Sequence, residues 1–261
     1  MKIHPTAIIE EGAELADDVS IGPYCFVGDG VKLGAGVTLK SHVVLEGDTT
    51  IGERTEIFPY ATLGQGPQHQ RFTGENTKLI VGADTIVREY VSMNRGTTGG
   101  GGVTKVGDGG FFMVGSNIAH DCQVGNGVIL ANNATVGGHV EIGDHAFLGG
   151  VCAIHQFTRI GDYAFVGGGA VVVADVIPYA SAFGNRAHLA GLNIVGMKRR
   201  ETPRDTIHKV RAAYKILFDV DGTMAERVER VREKYSQCSE VARILKFIDR
   251  DASRSLMLPE R

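Results

Sequence analysis

The stretch Ala13-Glu14-Leu15-Ala16-Asp17-Asp18-Val19-Ser20-Ile21-Gly22-Pro23-Tyr24-Cys25-Phe26-Val27-Gly28-Asp29-Gly30-Val31-Lys32-Leu33 places an aliphatic residue at every sixth position: Leu15, Ile21, Val27 and Leu33. The same beat begins at Ile9 and runs on through Leu39, Leu45, Ile51, Ile57 and Leu63. Two residues before each of these stands a small or β-branched side chain, from Ala7, Ala13 and Val19 to Thr49, Thr55 and Ala61. Glycine follows the aliphatic residue at Gly22, Gly28, Gly34, Gly52 and Gly64. Side chains two apart leave the same face of a strand. Each hexad is therefore a short strand with one large and one small inward residue, followed by a turn that glycine eases. A unit this short excludes helical packing, and its repetition predicts a solenoid.

The beat lapses over residues 65–78 and returns in phase at Val81, Val87 and Met93. It lapses again around residues 96–103, with glycines at 99–102, and resumes one residue out of phase at Val106. From there it continues through Phe112, Ile118, Val124, Leu130, Val136, Ile142, Leu148, Ile154, Ile160, Val166 and Val172. Hexads of this kind resemble the left-handed parallel β-helix, in which three hexads make one triangular coil. The spacing supplies the period and the resemblance supplies the hand, since crossovers are otherwise right-handed. The expected fold is mainly β: a left-handed parallel β-helix over residues 1–178 with insertion loops at 65–78 and 96–103, a connecting loop over 179–200, and a small helical domain over 201–261.

Composition agrees. The chain has 36 glycines, 7% aromatic residues and no tryptophan, which suits tightly turning backbone around small interior side chains. Cys25, Cys122 and Cys152 fall on the small inward position and read as core residues; no Cys-x-x-Cys occurs, so neither a disulfide framework nor a zinc ribbon is expected. Met1-Lys2-Ile3-His4-Pro5 leads straight into patterned sequence without the look of a signal peptide, and no apolar run nears the ~18 residues of a membrane span. The expectation is a cytoplasmic protein with no membrane span and no nucleic-acid partner. Residues 198–261 hold sixteen Lys and Arg against eleven Asp and Glu, whereas residues 1–197 hold eleven against nineteen. A basic tail on an acidic body suits an acidic partner, although charge alone favours an ordinary solvated helix surface.

In the tail, Thr202-Pro203 reads as a helix start with a threonine cap, and Ile207, Val210, Tyr214, Leu217 and Phe218 supply an apolar stripe up to Gly222. Thr223 with Glu226 forms a capping box for a second helix, and Ser239 opens a third carrying Val241, Ile244, Leu245 and Ile248. Three short helices would also cover the open end of a solenoid.

Coil counting then locates a site. Neighbouring coils stack roughly 4.8 Å apart, so His120 lies one coil beneath Gly138 and two beneath Gln156. Asp121, His139 and His155 fall on the same edge. A zinc site is the rival reading, because trimeric β-helix carbonic anhydrases use three histidines. Here the nearest pair, His139 and His145, is spaced onto different faces, so neither a metal nor a bound cofactor is expected.

Ile118-Ala119-His120-Asp121-Cys122, Ala131-Asn132-Asn133-Ala134-Thr135, Gly138-His139, His155-Gln156-Phe157 and Gly196-Met197-Lys198-Arg199-Arg200 together resemble the UDP-N-acetylglucosamine O-acyltransferase family, as do Ile3-His4-Pro5-Thr6-Ala7 and the helical tail. The resemblance spans the whole chain. It implies a homotrimer that transfers an (R)-3-hydroxyacyl group from acyl carrier protein to the 3-position of UDP-N-acetylglucosamine, the first step of lipid A synthesis. The phosphopantetheine arrives on the carrier. The resemblance further implies His120 as general base, Asp121 as its orienting carboxylate and Gly138 as donor to the tetrahedral oxyanion. Gln68, Arg71, His139, His155, Gln156 and Asn193 match substrate-contacting positions, and Arg199 and Arg200 suit a phosphate. Gly168 takes the position that measures the acyl chain; glycine leaves the groove open for a chain of roughly 12 to 16 carbons, each buried methylene adding ~0.8 kcal/mol. Because Gly168 falls on a different edge from His120, the acyl groove must run between two subunits.

Three positions depart from the family pattern. Asn117 stands where a histidine is common, His69 where an acidic residue often follows Gln68, and Val195 where a glutamate is common. All three touch the acceptor side and make a 3-amino analogue of UDP-N-acetylglucosamine the alternative acceptor. A related N-acyltransferase, which usually carries an extra uridine-binding domain, and a non-enzymatic scaffold are the remaining rivals.

Overall fold

The computed structural model describes residues 1–260. The hexads form three parallel sheets in which every third strand is a neighbour, giving a triangular prism of left-handed coils. In a regular coil each residue pairs with the one eighteen further on, as Phe112 with Leu130 and Leu130 with Leu148. The interior is the column of residues foreseen from the beat, and Leu45, Ile57, Leu63, Phe112, Leu130 and Leu148 are wholly buried. Cys25, Cys122 and Cys152 are buried among them as free thiols.

Both lapses are outward loops. Ile51 pairs with Val81, thirty residues on, and Val81 with Val106, twenty-five on. The first insertion is thus two hexads long and keeps the phase, whereas the second is seven residues and shifts it. Each leaves between a second-face strand (Thr62–Gln65, Ser92–Asn94) and a third-face strand (Lys78–Val81, Val103–Val106). The next turn along that edge, between Asn117–Ile118 and Gln123–Val124, carries His120.

The two ends of the prism differ. The first coil is open, with its inward residues Ile9 and Leu15 only half-buried. The other end is covered. Residues 179–200, expected as loop, form an antiparallel hairpin of Ala180–Phe183 and His188–Leu192, then helix α1 (Ile194–Arg199). Ala180–Phe183 also pairs in parallel with Phe165–Val166, so the chain completes one more face before reversing.

Helices α2 (Arg204–Leu217), α3 (Met224–Tyr235) and α4 (Ser239–Asp249) follow. Helix α3 has the expected capping box. Helix α2 starts one residue later than expected: Pro203, with ψ of 140°, takes the cap position, and the Thr202 N–H closes α1 by donating to Met197 O. After α4 an arm returns to the prism, where Ser255 O accepts from Asp175 N, Asp175 O from Met257 N, and Leu258 O from Leu189 N. Beneath it Arg159 and Asp175 form a buried ion pair at 2.7 Å.

Candidate active site

Three successive turns on the His120 edge each place one residue in the left-handed region: Asp121 (φ 60°), His139 (58°) and Phe157 (63°). Tyr60 and His145 do the same on the other edges, so this conformation belongs to the prism and not to the chemistry. What distinguishes this edge is what the corners hold. His120 and Asp121 are buried at 8% and 5% exposure, the carboxylate completely.

The Asp121 carboxylate is held from three directions. Thr97 N–H donates to Oδ1 at 2.8 Å, Thr97 Oγ1–H to Oδ2 at 2.7 Å, and His120 Nδ1–H to Oδ2 at 2.8 Å. The Asp121 N–H donates to Thr104 Oγ1 at 2.8 Å. The glycine run of the second insertion explains how Thr97 comes so close: a Cβ on Gly100 would lie 2.2 Å from Asp121 Cγ. With Nδ1–H given to a carboxylate, the His120 lone pair is at Nε2. That atom faces Gly138, where a Cβ would stand 2.8 Å from Nε2 and 2.7 Å from Cε1. Among the described residues the Gly138 N–H has no acceptor. A base with one open nitrogen and a free amide donor thus occupy adjacent coils, as coil counting placed them.

His139 packs edge-on to His120 at 5.1 Å and stacks on Phe157 at 4.5 Å. Burial lowers its affinity for a proton; Asp121, 3.7 Å away, opposes this, and His120 and His69 add to it. His69, from the first insertion, also stands edge-on to His120, at 5.4 Å. A cleft of about 460 Å³ opens here, lined by His69, Arg71, Phe72, Thr97, His139 and Phe157 among others. Gln68 is exposed on the same loop. His120, Asp121 and His139 bring ligand atoms within 4.8 Å of one another, close enough to share a cation. Both Asp121 oxygens are already taken by Thr97 and His120, which suits the cluster to fixing one imidazole.

His155 and Gln156 lie at the next turn and face the C-terminal arm, where Arg254 reaches both. The remaining expected residues lie elsewhere. Asn193 is the cap of α1: Oδ1 accepts from Gly196 N–H at 2.9 Å and Nδ2 donates to Tyr163 O at 3.1 Å. The α1 N-terminus needs such an acceptor, and the same residue also borders the cleft on the first face. Arg199 and Arg200 line, with Asn193, Ile129, Phe147 and Phe165, a cleft of about 630 Å³ on the first face. Arg200 lies over the Tyr163 ring at 4.1 Å. In a triangular prism the first face is opposite the edge between the second and third, so the hydrophobic core separates this cleft from His120 within one chain. Gly168 is on the edge between the first and second faces, and a Cβ there would meet only Gly150, at 3.3 Å from its O.

Sequence reasoning missed Thr97, Thr104, Phe157 and Arg254. The first had a signal: both insertions fall at one corner per coil, the corner that later bears His120. The last had none, since it depends on where an arm ninety-nine residues downstream docks.

Residues 175–257 match the family described as UDP-N-acetylglucosamine O-acyltransferase, domain 2. Over the full length, the chain is 55% identical to the acyl-[acyl-carrier-protein]–UDP-N-acetylglucosamine O-acyltransferase of Caulobacter vibrioides, covering 100% of this chain and 99% of the relative. Among solved structures it is similar to the UDP-N-acetylglucosamine acyltransferase of Campylobacter jejuni (38% identity, TM-score 0.93, covering 99% and 100%). It is likewise similar to the UDP-N-acetylglucosamine O-acyltransferase of Moraxella catarrhalis (38%, TM-score 0.95, 98% and 100%).

Proposed function

This chain belongs to the UDP-N-acetylglucosamine O-acyltransferase family, and from that premise we infer that it transfers an (R)-3-hydroxyacyl group from acyl carrier protein to the 3-hydroxyl of UDP-N-acetylglucosamine, the first step of lipid A biosynthesis. The observation that carries the mechanism is the His120 Nε2 lone pair lying over the open side of Gly138, whose amide has no acceptor among the described residues. Neutral His120 takes the proton of the sugar hydroxyl as its oxygen bonds to the thioester carbonyl carbon. The Gly138 N–H donates to the oxyanion so formed. Collapse breaks the carbon–sulfur bond, and the departing thiolate takes the proton back from Nε2, leaving an ester and a free carrier thiol. Asp121, fixed by Thr97, keeps Nδ1 protonated throughout and balances the transient imidazolium.

The two groups of expected residues make one site only if a second copy supplies the first-face cleft to the His120 edge. A homotrimer does this three times by symmetry. Arg71 at the edge and Arg199 and Arg200 in the cleft then provide cations for the diphosphate of the sugar nucleotide and the phosphate of the carrier arm. The basic helical tail suits the acidic carrier, and the reaction belongs in the cytoplasm, where the carrier is charged. No helix among the described residues is long and apolar enough to cross a membrane.

A second acceptor has specific support. An imidazole at His69, 5.4 Å from His120, replaces an acidic side chain, and Asn117 is tied to Ser92 Oγ at 2.9 Å. Both alter the acceptor side, and a 3-amino sugar nucleotide would leave with an amide in place of an ester. The test is a competition between UDP-N-acetylglucosamine and its 3-amino analogue, with a mixture of hydroxyacyl carriers and mass spectrometry of the products. An alkali-labile monoester supports O-acylation; an exclusively alkali-stable amide moves the assignment to the amino sugar, and no carrier-dependent product rejects both.

A further inference from the structure

The C-terminal arm brings to the active edge one side chain that settles a proton. Arg254 Nη2 lies 3.0 Å from His155 Nδ1, and Arg254 Nε donates to Gln156 O at 3.2 Å. A guanidinium has donors and no acceptor. His155 Nδ1 must therefore offer its lone pair to Arg254, which leaves the ring proton on Nε2. The same Nδ1 stands 3.1 Å from Gln156 O, a contact that would favour the opposite tautomer, with Nδ1–H donating to the carbonyl. The two arrangements exclude each other, because Nδ1 cannot carry both a proton and the lone pair that Arg254 needs. Arg254 contacts both the carbonyl and the ring nitrogen, and its guanidinium donor takes the Nδ1 lone pair that the other tautomer would lack.

We propose that Arg254 is a positioning residue that sets His155 to present Nε2–H as a donor to an oxygen of the substrate, whether carbonyl, hydroxyl or phosphate. The role rests on the reading of His155 as a substrate contact. His155 and His120 then carry opposite tautomers: His120, with Nδ1–H on a carboxylate, presents a lone pair, and His155, with Nδ1 on a guanidinium, presents a proton. Base and donor are thereby distinguished by what sits behind each ring. Arg254 is well placed for this because its backbone does not depend on the contact. The arm is anchored just beyond it by hydrogen bonds from Asp175 N to Ser255 O and from Met257 N to Asp175 O, and Met257 is buried. Removing the side chain should leave the arm docked.

The test uses the full-length enzyme with ¹⁵N-labelled histidine, at a pH where His155 is neutral, and compares wild type with Arg254→Met and Arg254→Lys. His155→Ala serves to assign the resonances. In wild type the unprotonated ¹⁵N signal of His155 belongs to Nδ1. In Arg254→Met it moves to Nε2, because Nδ1–H turns to Gln156 O, and KM for a substrate rises about three- to tenfold, the scale of one hydrogen bond, with kcat held. Arg254→Lys, which keeps a donor, restores the wild-type tautomer and most of KM. An Arg254→Met enzyme whose His155 keeps Nδ1 unprotonated overturns the proposal. So does an inverted tautomer with KM unmoved; in that case a normal KM in His155→Ala assigns the failure to the reading of His155, and a raised one assigns it to Arg254.

Discussion

The His120 edge and the first-face cleft are built from the same repeat and use it in opposite ways. At the edge, polar groups are buried and each is fixed by another: Thr97 holds Asp121, Asp121 holds His120, and the missing Cβ of Gly138 keeps space over Nε2. In the cleft, the strands present Ile129, Phe147 and Phe165, and the charges of Arg199 and Arg200 stand at its rim. The first arrangement fixes a proton and creates a place for negative charge. The second offers apolar area and loosely held cations. Chemistry and affinity are thus assigned to different parts of the chain, and substitutions in the two regions should separate kcat from KM.

The largest effect belongs to the edge. His120→Ala removes the base whose open nitrogen faces Gly138 and should lower kcat by ~10²–10⁴-fold, with circular dichroism and assembly unchanged. Retention of more than about a tenth of wild-type kcat would remove His120 from that role. Gly138→Ala is next. Its backbone permits alanine, but the new Cβ meets the His120 ring at 2.7 Å, and displacing a catalytic group by about 1 Å costs ~10²-fold. Should kcat survive in a folded Gly138→Ala enzyme, the space over Nε2 has no importance.

In the cleft the expected changes are smaller and fall on KM. Reversing charge at Arg199 or Arg200 should raise KM for the sugar nucleotide or the carrier by about tenfold, one charge-assisted hydrogen bond, with kcat held and the effect shrinking as salt rises. A fall in kcat at constant KM would place these arginines with the chemistry instead. Gly168→Met has room for its side chain and should shift the preference among competing carriers towards shorter chains, by about fourfold per methylene lost, while kcat for the preferred chain stays. An unchanged preference would make Gly168 a turn residue only.

The smallest effect concerns pH. Burial holds the His139 pKa below its ordinary value. The unfolded chain therefore takes up that proton first, and stability declines as pH falls from the ordinary histidine range towards the lowered folded value. His139→Gln should flatten this slope in denaturant titrations at a series of pH values, and an identical slope would show that His139 is not its source.

The fold was legible because the hexad repeats one local decision. Once Leu15, Ile21 and Val27 point inward, the register of the prism follows, and even the two insertions could be measured by how they change the phase. Stacking made the pairing of His120 with Gly138 legible as well. Legibility ended where the chain stopped repeating. The hairpin and α1 at residues 180–199 lack the beat, so they read as loop. The capping role of Asn193 was hidden for the same reason, since it depends on where α1 begins. Thr97 and Arg254 act through docked segments whose positions no periodicity encodes. Coil counting already put Gly168 on a different edge from His120, but Asn193, Arg199 and Arg200 lie beyond the repeat, so their place at the first face was not legible.

That division gives the most direct test of the account, whose central claim is that one subunit's His120 edge works with another's cleft. His120→Ala chains and Arg199→Glu/Arg200→Glu chains should be co-expressed, purified as mixed assemblies and assayed with substrate below the wild-type KM. Each parent alone should be nearly inactive under these conditions. In a random mixed trimer about a quarter of the sites pair an intact edge with an intact cleft, so activity should recover to roughly that fraction of wild type. Activity no higher than the mean of the two parents would contradict the claim, because it would mean that each chain carries its whole site by itself.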